Sequence, residues 1–258
     1  MRSPTNKAGR IVPERIAVFG GEKSGKTFSH LSIAAMHAKR NSDATFYILD
    51  TDLAIERMLM DPTFADLDNI VYEVCTSWAE LRDATKLFLG KIQPGDWLVV
   101  DMITQAWDMV QRHYIEQVYG MDADDFFLMK QREAKSRGED TANFGEIIEW
   151  PIVNKLYMPW ATSIISHRGH LFITAAEKEI GKRERGKAEV KEFLAQGVKI
   201  AGQKYTGHLM HTILRIRSAT PGHPRFNTVG DRNRAVLKGE EITNFPVGYL
   251  VKIAKWKL

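Results

Sequence analysis

The stretch Gly20-Gly21-Glu22-Lys23-Ser24-Gly25-Lys26-Thr27 follows the pattern G-x-x-x-x-G-K-[S/T]. Each residue type in that pattern suits the holding of a polyphosphate. Glycine lacks a Cβ, so the backbone can wrap a phosphate closely and adopt positive φ. The amides of such a loop, and the start of the helix behind it, point at the anion. A lysine in the place of Lys26 reaches the β- and γ-phosphates, and a hydroxyl in the place of Thr27 ligates magnesium. ATP and Mg2+ are therefore the expected cofactors. Lys23, a second lysine inside the loop, reads as loop surface.

Carboxylates stand where such a site needs them. Asp101 closes the apolar run Trp97-Leu98-Val99-Val100. An aspartate at the end of a buried strand can hold the magnesium shell beside Thr27. Asp50 and Asp52 end a second apolar run, at the same sheet edge where ligands bind in open α/β folds. Hydrolysis needs a carboxylate to polarise the attacking water. Asp52 is assigned that role, and Asp50 the support of the loop or of the metal shell.

These residues need a scaffold, and the alternation of strand and helix patterns predicts one. It is an α/β fold with a mostly parallel sheet flanked by helices. Strands are expected at Arg15–Phe19, Thr45–Leu49, Ile70–Val74, Trp97–Val100 and His170–Thr174. A helix is expected over Thr27–Arg40, from Leu31, Ala34, Ala35 and Ala38 at helical spacing. Another runs from a Ser77 cap to Leu89, with Glu80 completing a capping box. Ile103–Tyr119 and Glu149–His167 read as helices. Met121–Gly145 is charged with little apolar period and reads as an exposed excursion. Leu209–Arg217 and Arg225–Val229 read as a C-terminal β-hairpin. The expected organisation is a leader over residues 1–14 and a single domain over 15–258, with a charged, helical insertion at about 105–169.

Composition sets outer bounds. Hydrophobic residues make up 44% and charged residues 26%, enough apolar material for a real core. No apolar run approaches the roughly 18 residues of a membrane helix. The polar N-terminus lacks a secretory pattern. The lone Cys75 fits a reducing compartment and a buried thiol, so a cytoplasmic location is expected. Net charge is +4, unevenly spread: from Lys178 onward 17 Lys/Arg face 7 Asp/Glu. That asymmetry suggests a polyanion partner, with ordinary solvated surface as the alternative. The histidines show no metal-ligand spacing, and Trp107, Trp150 and Trp160 read as packing residues.

With Gly20–Thr27, Tyr47-Ile48-Leu49-Asp50-Thr51-Asp52, Leu98-Val99-Val100-Asp101 and the stretch 211–234 in view, the chain resembles RecA-like ATPases. Within them it resembles the short, core-only kind found in bacteriophages as annealing or recombination proteins. The resemblance implies a water-activating residue after the second strand, where this chain has Asp52 and the family a Glu. It implies a DNA-binding loop after the strand ending near Thr174, which puts Lys182, Arg183, Arg185 and Lys187 on DNA phosphates. The family's polar Gln before that loop has no counterpart here. The resemblance also implies a pair of cations reaching the ATP of the next subunit, here Arg232 and Arg234, and hence a homo-oligomeric ring or filament. The implied function is ATP binding and hydrolysis on single-stranded DNA in phage recombination or replication, in the host cytoplasm. A nucleoside or nucleotide kinase, or a non-hydrolytic nucleotide-binding accessory protein, are the alternatives.

Overall fold

The structure is a computed structural model, and it describes residues 13–40, 42–138, 150–220, 223–232, 241–243 and 247–250. Along the chain run β1 (Arg15–Gly20), α1 (Lys26–Lys39), β2 (Phe46–Asp50), α2 (Ile55–Leu59), β3 (Ile70–Val74), α3 (Trp78–Lys91), β4 (Trp97–Asp101), α4 (Ile103–Tyr119) and α5 (Ala123–Ser136). There follow α6 (Trp150–Ser166), β5 (His170–Glu179), β6 (Val198–Ile200), α7 (Thr206–Leu209), β7 (Thr212–Thr220), β8 (His223–Asp231), β9 (Glu241–Ile242) and α8 (Val247–Leu250).

The strands lie in the order β3-β2-β4-β5-β1-β7-β8-β9, with β6 added antiparallel to the end of β5. From β3 through β1 to β7 every pairing is parallel, and the antiparallel β7–β8 hairpin extends the sheet. The expected α/β architecture is present: a mostly parallel sheet flanked by helices, a helical insertion and a C-terminal hairpin. Its central strands are apolar on both faces because helices cover both. Strand periodicity divides them: Ala17, Phe19, Leu98, Val100, Leu171 and Ile173 join one buried cluster, with residues of α3, α4 and α6. Ile16, Val18, Trp97, Val99 and Phe172 join the other, with residues of α1.

Side-chain caps fix the starts of α3 and α5. Ser77 accepts from the Glu80 amide at 3.2 Å, and Glu80 accepts from the Ser77 amide at 3.1 Å, closing the expected capping box. Arg15 is buried at the start of β1 and donates to the carbonyls of Ile165, Glu14, Gly169 and His167 at 2.6–2.9 Å. Those bonds tie the α6–β5 turn to β1 and satisfy the guanidinium, whose pKa burial lowers to about 10. Cys75 is buried, and burial pushes its thiol up to about 12. Trp107 stacks on Trp150 at 5.9 Å, and the buried Trp160 donates to Thr85 Oγ1 at 2.9 Å, so all three tryptophans pack.

Some expectations need correction. Met121–Gly145 is not simply an exposed excursion, because Asp122 caps α5 by accepting from the Asp124 amide at 2.7 Å. Ala123 and Phe126 of that helix are fully buried; the rest of the segment, from residue 139, lies outside the described residues. The fifth strand continues past Thr174 to Glu179, since β6 pairs with its end. The hairpin starts at Thr212 instead of Leu209, because Thr206–Leu209 forms the short α7. Of the leader expected over residues 1–14, residues 1–12 also lie outside the described residues; Glu14 is buried, its amide donating to His170 Nδ1 at 3.0 Å. Among the described residues no helix is long and apolar enough to cross a membrane.

Candidate nucleotide and metal site

The glycine-rich loop spans the gap from the end of β1 to the start of α1, at the carboxyl edge of the parallel strands. Gly20 must lack a side chain: a Cβ there would lie 2.4 Å from Ile216 Cγ2 and 2.9 Å from the Ile216 carbonyl. Lys23 and Gly25 take φ of 53° and 97°, which turns the loop so that it opens into the helix N-terminus. The side chains of Glu22 and Lys23 are exposed, so Gly21, Glu22 and Lys23 can offer a phosphate chiefly their amides. The Ser24 hydroxyl is buried and has no hydrogen-bond partner. Lys26 Nζ folds back onto the loop, donating to the carbonyls of Gly21 at 2.7 Å and Gly20 at 3.3 Å. Burial lowers its pKa, and the carboxylates of Asp101, Asp52, Glu177 and Glu22 partly offset that.

Asp101 is fully buried on the α1 side of β4. Its Oδ2 accepts from Thr27 Oγ1 at 2.8 Å and from His30 Nε2 at 3.2 Å, and its Oδ1 accepts from Thr174 Oγ1. Burial pushes the carboxyl up, but the hydrogen bond and charge of His30, then the hydroxyls of Thr174 and Thr27, outweigh it and hold it below the usual range. The backbone beyond is fixed by Thr51, whose hydroxyl accepts from the Met102 amide and donates to the Met102 carbonyl, both at 2.7 Å. The Asp101–Met102 peptide is cis.

Asp50 is fully buried and caps the turn after β2, accepting from the amides of Asp52, Ala54 and Ile55 at 3.0–3.2 Å. Those bonds go to the turn after β2 and not to the expected loop, Gly20–Thr27. Asp52 is exposed at the same edge. Its carboxyl is nonetheless partly desolvated by the protein around it, which raises its pKa together with the neighbouring Asp101; Lys26 lowers it, and Asp50 raises it further. A carboxylate of raised basicity near the loop lysine suits the acceptance of a proton from water.

The donor set fits ATP and Mg2+. An unpartnered buried hydroxyl, a lysine spent on its own loop carbonyls and the loop amides all suit a phosphate chain. Thr27 gives its proton to Asp101, which leaves its oxygen lone pairs for a hard cation. Among the described residues no group of three or more His, Cys, Asp or Glu is placed to hold a metal. A cation here would draw its ligands from Thr27, phosphate oxygens and water, with Asp101 behind them.

Two residues of this site lie outside the motifs legible in the sequence. His30 sits three positions after Thr27, so the helix puts both on one face, and that spacing is the available signal. Thr174 carries no signal, because only the pairing of β4 with β5 brings it to Asp101. Beside the loop, Glu177 on β5 accepts from Arg215 Nε on β7 at 3.0 Å, across β1 between them.

Lys182, Arg183, Arg185 and Lys187 are all exposed, and none is in an ion pair among the described residues. Lys182–Glu184 is a 3-10 turn, so an α-helical i,i+4 charge ladder is not what spaces them. Arg232 lies in a bend after β8 ends at Asp231, with its guanidinium donating to the His208 carbonyl. Arg234 lies outside the described residues.

No family model matches the chain, and no curated protein matches it. Among solved structures it is similar to the crystal structure of the RadB recombinase, with a TM-score of 0.47 and 14% identity. That match covers 89% of this chain and 86% of the other.

Proposed function

We propose that this protein is a RecA-like ATPase that binds MgATP at Gly20–Thr27 and hydrolyses it while acting on single-stranded DNA. The observation that carries the reading is the chain Lys26–Thr27–Asp101. A loop lysine and a helix N-terminus face the phosphate position, and the next residue's hydroxyl is bonded to a buried strand-end aspartate at 2.8 Å. Bound Mg2+ supplies charge neutralisation at the phosphate oxygens. Lys26 exchanges its loop carbonyls for phosphate oxygens, Thr27 offers its oxygen outward, and Asp101 takes the Thr27 proton bond. Asp52 receives the proton of the attacking water.

The DNA part of the proposal rests on Lys182, Arg183, Arg185 and Lys187. Glu184, the acid among them, is bonded to Lys199 at 2.6 Å. The four exposed cations are left for phosphates, whose neutralisation drives single-strand binding. Assembly into a ring or filament would bring Arg232 and Arg234 of one copy to the nucleotide of the next. A phage role in recombination or replication, in the host cytoplasm, belongs to the same proposal.

The test is turnover of ATP with Mg2+ in three parallel reactions: protein alone, with single-stranded DNA, and with a nucleoside. Stimulation by DNA supports the proposal. ATP consumption only with a nucleoside indicates a kinase, and no turnover in any reaction indicates a binding accessory protein.

A further inference from the structure

We infer that His30 is a positioning residue for the metal side of the site: it fixes the Asp101 carboxylate so that the Thr27 oxygen faces the cation. This rests on the proposed MgATP site and adds a residue to it. His30 is fully buried, and its Nε2 lies 3.2 Å from Asp101 Oδ2, the same oxygen that accepts from Thr27 at 2.8 Å. A carboxylate accepts only, so Nε2 carries the hydrogen. Nδ1 is buried without a hydrogen-bond partner. The ring is held edge-on to Phe172 of β5, with centroids 5.9 Å apart.

The geometry gives the imidazole a definite task. Asp101 Oδ1 is held by Thr174, and Oδ2 is held from two sides, by Thr27 and His30. Of the three donors the His30 ring alone is a rigid group, buried and packed on Phe172, and it fixes the carboxylate plane. The single Thr27 proton then has one acceptor, and its lone pairs point away from Asp101. Without His30 only the two rotatable hydroxyls of Thr174 and Thr27 hold it, and the carboxylate and the Thr27 hydroxyl can turn together. Groups that orient a metal's ligands from behind set its affinity in this way.

The test separates the donor from the packing. His30→Met fills the volume without a donor. His30→Gln keeps an N–H about where Nε2 stands, whereas His30→Asn is too short to place one there. Binding of a fluorescent ATP analogue to the full chain is followed while Mg2+ is titrated, and again in EDTA. His30→Met is expected to raise the half-saturating Mg2+ by about 10- to 100-fold with binding in EDTA unchanged, and His30→Gln to restore wild-type Mg2+ dependence. If His30→Met fails to fold by circular dichroism, the Gln and Asn variants decide, with Gln binding Mg2+ like wild type and Asn not. Unchanged Mg2+ dependence in folded His30→Met overturns the inference, as does equal loss in EDTA or a Gln variant no better than Asn. A wild type that binds no nucleotide at all overturns the MgATP reading and this inference with it. A wild type that binds normally while the variants match it overturns this inference alone.

Discussion

Gly20→Ala probes how tightly the hairpin closes on the head of the phosphate loop. The added methyl would lie 2.4 Å from Ile216 Cγ2, 2.9 Å from the Ile216 carbonyl and 3.0 Å from Ser24 Oγ. The carbonyl belongs to a sheet strand and cannot rotate away, so β1 or β7 must shift. Overpacking of this kind costs about 1–3 kcal/mol, and the backbone clash places it in the upper part of that range. Ile216 is itself buried, and Ile216→Ala alone should cost about 2–5 kcal/mol through the cavity it leaves. In the double variant the Cγ2 clash disappears and the carbonyl clash stays. The double loss should therefore fall short of the sum of the single losses by roughly 1 kcal/mol or more. Urea unfolding of the four proteins measures this. Strict additivity, or a Gly20→Ala protein as stable as wild type, would refute the steric reasoning. Because a shifted β1 also moves the loop amides, Gly20→Ala should weaken nucleotide binding on the order of tenfold, about 1.4 kcal/mol.

Asp52 has its pKa raised by partial burial and by Asp101, and it must be ionised to accept a proton. The acid limb of kcat/KM should lie above the ordinary carboxylate range, and Asp52→Asn should cut turnover by about 10²–10⁴-fold and remove that limb; an unshifted limb in Asp52→Asn would exclude it as the base. Replacing Lys182, Arg183, Arg185 and Lys187 together by Ala should weaken single-stranded DNA binding and reduce the salt slope by up to about 0.7 for each phosphate no longer neutralised. An unchanged slope in fluorescence anisotropy would remove them from the interface. Burial lowers His37 to about 4, and His167 and His170 to about 3. The folded state thus resists protonation that the unfolded chain accepts near about pH 6.5. Stability should be full above that pH and fall as the pH drops through 6 toward 4, by up to about 1.4 kcal/mol per pH unit for each histidine. Urea midpoints that stay flat from pH 7 to 4.5 would contradict this.

The loop and its flanks are legible in the sequence because their chemistry is local. Gly20–Thr27 is fixed by spacing, and the apolar runs ending at Asp50 and Asp101 announce buried strands whose ends share an edge. Asp50 is legible as a strand-end aspartate, although what it caps is its own following turn. Thr174 is not, since nothing near it in the chain names Asp101 as its partner. His30 is hidden because it has no metal-ligand spacing to other histidines; its relation is to Thr27, one helical turn away. The helix over Ala123–Ser136 is masked by charge: Ala123, Phe126 and Ala134 are buried among charged neighbours, and the signal lies in the Asp122 cap. The ion pair Glu177–Arg215 depends on strand order, which no local pattern states.

The central claim is tested most directly by calorimetric titration of MgATP into the wild-type protein and into Lys26→Ala, with circular dichroism confirming that both are folded. Among the described residues Lys26 Nζ bonds only to carbonyls of its own loop, Gly20 and Gly21, so its loss should leave the fold intact. Saturable, Mg2+-dependent binding is expected for the wild type and none detectable over the same range for the variant. Equal binding by both proteins, or no binding by a folded wild type, would contradict it.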